Sequence, residues 1–280
     1  MRTAVFGDVG GHREPFEALL TELGVDVGAG TIPDDVTVVQ VGDLVHRGPD
    51  SPGVIDLVER FIEHPRWVQL VGNHEAQYLR PNGRTFEWPK DDELDARRGD
   101  LLRQWFEADL MRVAHATPPG PDGVPFLATH AGVTLGFARS IGADLSSAIS
   151  AAESVNDTPR SYRSSQLWEE GMMMSGRPDV MAGPLWAESS HELSINWYWA
   201  GANCPPAFHQ VIGHSSPMDW RNRVWRGDII MRGRSRIIEQ DRHVRMSVND
   251  YPERYIWAID PGHGRYPTTA WRPLIIEHEE

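Results

Sequence analysis

Apolar and polar positions along the first third of the chain repeat one pattern. "RTAVF" is a short apolar run ending at Gly7-Asp8, and Phe16, Leu19, Leu20 and Leu23 follow at helical spacing. "VTVVQV", Val36 to Val41, is a β-branched run ending in Gly42-Asp43, after which Val54, Leu57, Val58 and Phe61 share one helix face. "WVQLV", Trp67 to Val71, predicts a third strand and ends in Gly72-Asn73. Three times the order is apolar strand, glycine, polar residue with a lone pair, helix. Parallel strands buried on both faces gather functional groups at their carboxyl ends. The pattern therefore predicts Asp8, Asp43 and Asn73 along one edge of one sheet.

The charged stretch from about Pro81 to Asp100 reads as an exposed excursion, and "LLRQWFEADL" as a helix. "FLAT" leads into His130-Ala131-Gly132, and "FHQVIGHS" repeats the device with Gly213-His214. "YIWAID" and "WRPLIIE" read as further strands, which suggests a second sheet packed on the first. Between them, residues 135–205 form a long insertion with helical pieces, the run Met172 to Met174, and Trp168, Trp186, Trp197 and Trp199. That composition favours the core of a cap over a stacking platform for nucleobases. No internal repeat or domain boundary is visible, so the expectation is one α/β domain over residues 1–280 with a cap-like insertion at about 135–205.

Charge narrows the partners. Forty acidic residues against 27 basic ones leave a net charge of −13, which disfavours a nucleic-acid binder, although Arg221 to Arg226 make a local basic strip. An anionic small substrate remains compatible, because a few local cations or metal ions reverse the field inside a cleft. The single cysteine, Cys204, can form neither an internal disulfide nor a thiolate cluster, which predicts a reducing compartment. No stretch approaches a membrane span, so a cytoplasmic protein without membrane partners is expected.

The polar residues that end strands are Asp8, Asp43, Asn73, His130 and His214. Two carboxylates, an amide oxygen and two imidazoles, without sulfur, suit borderline divalent ions such as Mn, Fe, Zn, Ni or Co. One carboxylate can bridge a pair of ions about 3.5–4 Å apart, the spacing of two-metal phosphoester hydrolysis. His74, beside Asn73, is a candidate general acid for the leaving alkoxide, an effect worth ~10²–10⁴ in rate. Arg47, four residues after Asp43, could clamp two phosphoryl oxygens. Each residue alone has a plainer explanation. Asp8, Asp43 and Asn73 could be helix caps, His130 and His214 satisfied histidines, and Arg47 half of a surface ion pair. Their ordered recurrence is what favours ligation. "GDVGG" is not a nucleotide phosphate loop, since the glycine spacing and the Lys-Ser/Thr ending are missing.

"GDVGG", "GDLVHRGPDS", "GNHE", "THAGV" and "IGHS", in this order, resemble the calcineurin-like metallophosphoesterases. The similarity points to the phosphoprotein-phosphatase branch and its bis(5′-nucleosyl)-tetraphosphatase relatives, the second motif resembling the tetraphosphatase form. "IDPGHG" resembles the family's "DTG" strand end, and "GPLW" a short motif ahead of the last metal histidine. The resemblance spans motifs from residue 7 to about 264 and does not match 81–125 or 135–205 in detail. It implies two packed mixed β-sheets flanked by helices, and two divalent ions with manganese favoured. Asp8 would sit on the first ion, Asp43 would bridge, and Asn73, His130 and His214 would hold the second. His74 would protonate the leaving group and Arg47 would bind phosphate. The implied substrate is a phosphate ester or anhydride, with a dinucleoside polyphosphate favoured. A protein Ser/Thr phosphatase is the alternative, and a catalytically weakened binding protein a third reading. Two positions depart from the pattern. Gly10 stands where Asp-x-His has its histidine, and flexible Gly10-Gly11 could let His12 turn toward the metal instead. His46 stands near the substrate where many phosphatases carry Asp, and a protonated ring there would lower the pKa of His74.

Overall fold

The computed structural model describes residues 1–79, 93–161, 163–201, 203–263 and 271–278. The expected excursion from Pro81 lies outside the described residues up to residue 92. The first three strand–helix units are β1 (Arg2–Phe6) with α1 (Arg13–Glu22), β2 (Val36–Gln40) with α2 (Ser51–Glu59), and β3 (Trp67–Leu70) with α3 (Asn73–Leu79). Then come α4 (Ala96–Glu107), β4 (Met111–Arg112), β5 (Ala114–Ala116) and β6 (Phe126–Thr129). Helix α4 starts inside the stretch read as exposed, because Asp95 accepts the Arg98 N–H as its cap and Leu102 and Trp105 are buried.

Next along the chain are α5 (Leu135–Ile141), α6 (Ala148–Asp157), α7 (Met172–Ser175) and α8 (Ile195–Gly201). The chain closes with β7 (His209–Ile212), β8 (Met218–Asp219), β9 (Val224–Trp225), α9 (Ile229–Gly233), β10 (Ser235–Ile238), β11 (His243–Asp250), β12 (Glu253–Ala258) and β13 (Leu274–Glu277). Caps mark several helix starts: Asp50 accepts from Gly53, Thr134 from Phe137 and Ser147 from Ser150.

Two mixed sheets result. The first has the order β13-β1-β2-β3-β4, with β1 to β4 parallel and β13 antiparallel on β1. The second has the order β10-β11-β12-β7-β6-β5, and its middle strands β12, β7 and β6 are parallel. Side chains alternate between faces along each strand. Val5, Val39 and Leu70 of the first sheet therefore meet Phe126, Ala128 and Val211 of the second in one buried layer. Ala4, Phe6 and Val38 point the other way, onto Phe16, Leu20, Val54 and Val58 of the first two helices. On the far side of the second sheet, Met246, Ile256 and Ile212 pack with Leu193 and Trp197.

The aromatic and thioether residues of 135–205 divide. Trp186 and Trp197 are buried, whereas Met173, Met174 and Trp199 are 51%, 40% and 64% exposed. The methionine run is thus surface rather than core. It forms a four-residue helix ending at Gly176 in the left-handed conformation, with none of its side chains buried.

Candidate metal centre

Strand ends from both sheets meet at one place. Gly42 has φ 102°, and a Cβ built on it would lie 2.4 Å from the Gly72 nitrogen. The chain leaving β2 and the chain leaving β3 therefore touch backbone to backbone, which only glycine allows. This brings Asp43 beside α3, where its Oδ1 accepts the His74 N–H at 3.0 Å. Glu75 locks the junction. Its fully buried carboxylate accepts the N–H groups of Asp43 (2.8 Å), Leu44 (2.8 Å) and Gly72 (2.9 Å). From the second sheet, His130 follows β6 and His214 follows β7. Asp8, at the end of β1, accepts the His214 N–H on Oδ1 at 2.8 Å.

The donor atoms converge. Asn73 Oδ1 lies 2.9 Å from both His130 Nε2 and His214 Nδ1. His130 Nε2 is also 3.3 Å from Asp43 Oδ1. One ligand atom from each of Asp43, His130 and His214 falls within a 4.8 Å group, and all three residues are buried. The tautomer of His130 decides what this means. Its Nδ1 sits 2.9 Å from the Val41 carbonyl and donates to it. In the neutral ring Nε2 then carries a lone pair, aimed at two oxygens that also carry lone pairs. Burial pushes the His130 pKa well below its ordinary value, so no ring proton separates them. Asp8 Oδ2 is likewise buried and has no hydrogen-bond partner among the described residues. Such an arrangement fits a divalent cation, which takes oxygen and imidazole lone pairs together.

The electrostatics agree. Burial raises the pKa values of Asp8 and Asp43 well above the ordinary carboxylate range. Asp260 and Asp43 add to the shift at Asp8, and Glu75 adds to it at Asp43. Burial lowers His214 to about 4, with Arg47 acting in the same direction. Carboxylates buried this close together are costly unless a positive charge lies among them. The backbone is strained at the same place. Of seven non-glycine residues with positive φ among those described, Asp43, His46, Arg47 and His214 (φ 56°, 72°, 65° and 61°) belong to this site.

Around the ligand group, His74 is buried, with Nδ1 2.8 Å from the Val45 carbonyl and Nε2 3.3 Å from Asp43 Oδ2. Burial, then Arg47, then His46 push its pKa well down. His46 turns its Nε2 to Tyr78 Oη at 2.8 Å, and its ring centre is 5.1 Å from that of His74. Arg47 makes no ion pair among the described residues. It lines a cleft of about 430 Å³ with His214, Asp260, Met173, Trp220 and Arg242. The buried ring of His12 packs 4.8 Å from His263 and lines a different cleft, beside α1 and Pro49. Sequence reasoning missed Glu75 and Asp260. Both stand inside quoted motifs, "GNHE" and "IDPGHG", so the signal was position within a motif rather than residue type.

A family model described as calcineurin-like phosphoesterase matches residues 1–201. The asymmetrical bis(5′-nucleosyl)-tetraphosphatase of Oceanobacillus iheyensis is 38% identical over 76 residues, 26% of this chain and 30% of that protein. The symmetrical bis(5′-nucleosyl)-tetraphosphatase of Ralstonia nicotianae is 32% identical over 131 residues, 45% of this chain and 40% of that protein. The chain thus spans less than half the length of these curated relatives. A cold-active protein tyrosine phosphatase shares the fold at TM-score 0.50 and 15% identity, over 93% of this chain and 70% of that one. The matched residues carry the strand–glycine–ligand pattern through β6, and the two mixed sheets bring His214 to them from beyond the matched region. On that match and that architecture, the chain belongs to the calcineurin-like phosphoesterase family.

Proposed function

We propose that the protein is a dinuclear metal-dependent hydrolase of phosphate esters or anhydrides, with a dinucleoside polyphosphate as the favoured substrate. The observation that carries this is the meeting of Asn73 Oδ1, His130 Nε2, His214 Nδ1 and Asp43 Oδ1, with the His130 Nε2 lone pair turned toward two oxygens. Asn73, His130 and His214 would hold one ion, Asp8 the other, and Asp43 would face both. Two divalent ions, manganese favoured, would supply charge neutralisation and water activation.

The chain's own groups would do the rest. Arg47, free of ion pairs among the described residues, would hold two phosphoryl oxygens with its planar fork. Val45 fixes the His74 ring so that Nε2 is the atom that exchanges a proton. A bound phosphate brings negative charge next to that ring and favours its protonated form, which can then donate to the leaving oxygen. Support for a polyphosphate substrate comes from the tetraphosphatase relatives and from the cleft leading from His214 and Arg47 to Arg242, Trp220 and Met173. Cytoplasmic action is part of the proposal, supported by the single, exposed Cys204. Among the described residues no helix is long and apolar enough to cross a membrane.

The test is elemental analysis of the purified protein, then hydrolysis of an aryl phosphate, a dinucleoside polyphosphate and a phosphopeptide, before and after chelation and Mn²⁺ addition. Metal-dependent turnover with the dinucleotide preferred is expected. Turnover that survives complete chelation would refute the mechanism. Preference for the phosphopeptide would favour a protein phosphatase, and bound metal without turnover a binding protein.

A further inference from the structure

The insertion brings one more histidine, His191, to the cleft that holds Arg47 and His214. It stands on Ser189–Ser194, a π-helical turn, a rare winding that recurs at functional sites. Two contacts fix this turn beside the metal ligands. The Ser189 N–H donates to Ser215 Oγ at 3.0 Å, so the turn starts against the residue that follows His214. Trp186, just ahead of the turn, meets the His214 ring edge-on with centres 6.0 Å apart. The buried Glu192 carboxylate then ties the turn to the methionine segment. Its Oε1 accepts the N–H groups of Met172 (2.8 Å) and Asp179 (2.7 Å), and its Oε2 accepts that of Glu188 (2.6 Å).

Glu188 orients the ring. Its side chain is 13% exposed, and its Oε2 accepts the Ser190 N–H at 3.0 Å and the His191 N–H at 2.5 Å and lies 3.0 Å from His191 Nδ1. An ionised carboxylate can only accept, so Nδ1 is the donor. That leaves Nε2 for a ligand: it has no hydrogen-bond partner among the described residues, and the side chain is 32% exposed where it lines the cleft. A carboxylate on one ring nitrogen favours a proton on the other, and the bond to Glu188 raises the His191 pKa above its ordinary value. The charges around the ring are Glu188, Glu192 and Asp228; those elsewhere on the cleft wall are Asp219 and Asp260, and Arg47, Arg221, Arg226 and Arg242. Arg226 is paired with Asp219, and Arg242 donates to the Pro261 carbonyl.

We propose that His191 is a substrate-binding residue: as an imidazolium held by Glu188, it donates its Nε2–H to a phosphoryl oxygen beyond the phosphorus under attack. This rests on the metal-dependent hydrolase reading above and deepens it. Arg47 and the ions hold the attacked phosphoryl group. His191 stands on the same cleft wall but outside the ligand group of Asp43, His130 and His214, and holds the next one. A monoester has no second phosphoryl group and gains nothing from this residue, whereas a polyphosphate gains a charged hydrogen bond. His191 thus selects anhydrides over simple esters.

Calorimetry on the full-length, Mn²⁺-loaded protein tests this with two probes that are not hydrolysed, a methylene-bridged dinucleoside polyphosphate and phenylphosphonate. His191→Gln should bind the bridged dinucleotide roughly 10–100-fold more weakly, and phenylphosphonate within about twofold of the unaltered protein. Elemental analysis should give both proteins the same metal content. In the unaltered protein the preference for the dinucleotide should fall as pH rises through the His191 pKa, above about 6.5, and in His191→Gln that fall should be absent. Equal loss for both probes, no loss for either, a shared pH dependence or loss of an ion in the variant would overturn the assignment. Binding of both probes that survives removal of Mn²⁺, or an unaltered protein that binds neither, would instead overturn the hydrolase reading on which it stands.

Discussion

Glu75 makes no contact with substrate in this reading, yet its replacement should be among the most damaging in the chain. Its buried carboxylate is the acceptor for three N–H groups on two loops, those of Asp43, Leu44 and Gly72. A buried donor left without an acceptor costs about 1–3 kcal/mol, and bonds to a charged acceptor lie at the upper end. In Glu75→Ala all three lose their partner, and the expected loss is about 5 kcal/mol. Glu75→Gln is a sharper probe. Its carbonyl can take the place of Oε2 and keep Asp43 and Gly72, but its NH₂ then faces the Leu44 N–H. One stranded donor gives about 2 kcal/mol. Part of that loss is offset, because burial raises the pKa of Glu75 itself and its charge is the second cause, after burial, of the raised pKa of Asp43. Urea unfolding at pH 7 with excess chelator measures the losses free of metal binding. Mn²⁺ titration then reads how far Asp43 has loosened. An alanine variant within 1 kcal/mol of the unaltered protein, or a glutamine variant as unstable as the alanine one, would show that this carboxylate is not what holds the loops.

Three further outcomes are expected. Arg47→Ala should lower kcat/KM by roughly 10–100-fold through the lost phosphate contact, with the metal content by elemental analysis unchanged; loss of an ion would contradict the assigned role. His46→Asp replaces a ring that lowers the pKa of His74 with a carboxylate that raises it, so the alkaline limb of the kcat profile should move up, and a stationary limb would remove the idea. His209 donates Nε2–H to Asp122 Oδ2 at 2.8 Å and accepts the Tyr255 N–H on Nδ1 at 3.2 Å, and burial lowers its pKa to about 4. The folded pKa lies below the unfolded value of about 6.5, so the unfolded chain binds the extra proton. The stability from His209 is present above about pH 6.5 and is lost toward pH 4, on the order of 3 kcal/mol. His209→Gln should flatten that part of the urea-midpoint profile, whereas parallel profiles for both proteins would refute it.

The sequence alone determined the strand-end pattern, since side-chain period and glycine position are local properties. Asp8, Asp43 and Asn73 were legible at the ends of β1, β2 and β3, and His130 and His214 at the ends of β6 and β7, because each repeats one short apolar run and one polar stop. Helix α4 was placed too late because the stretch ahead of Leu102 reads as charged surface, and the methionine run was misjudged because composition does not say which face of a four-residue helix is wet. Tertiary structure decided the rest. Asp8 meets the His214 N–H across 206 residues of chain, a contact set by the packing of two sheets. Glu75 reads in sequence as one more acid of a helix, and becomes a clamp only when Gly42 and Gly72 cross beneath it. The loop carrying Asp260 rests on Gly7 only because β12 runs parallel to β7. Local periodicity specifies which residues end strands; which strand ends meet depends on sheet order and register, and those are properties of the whole chain.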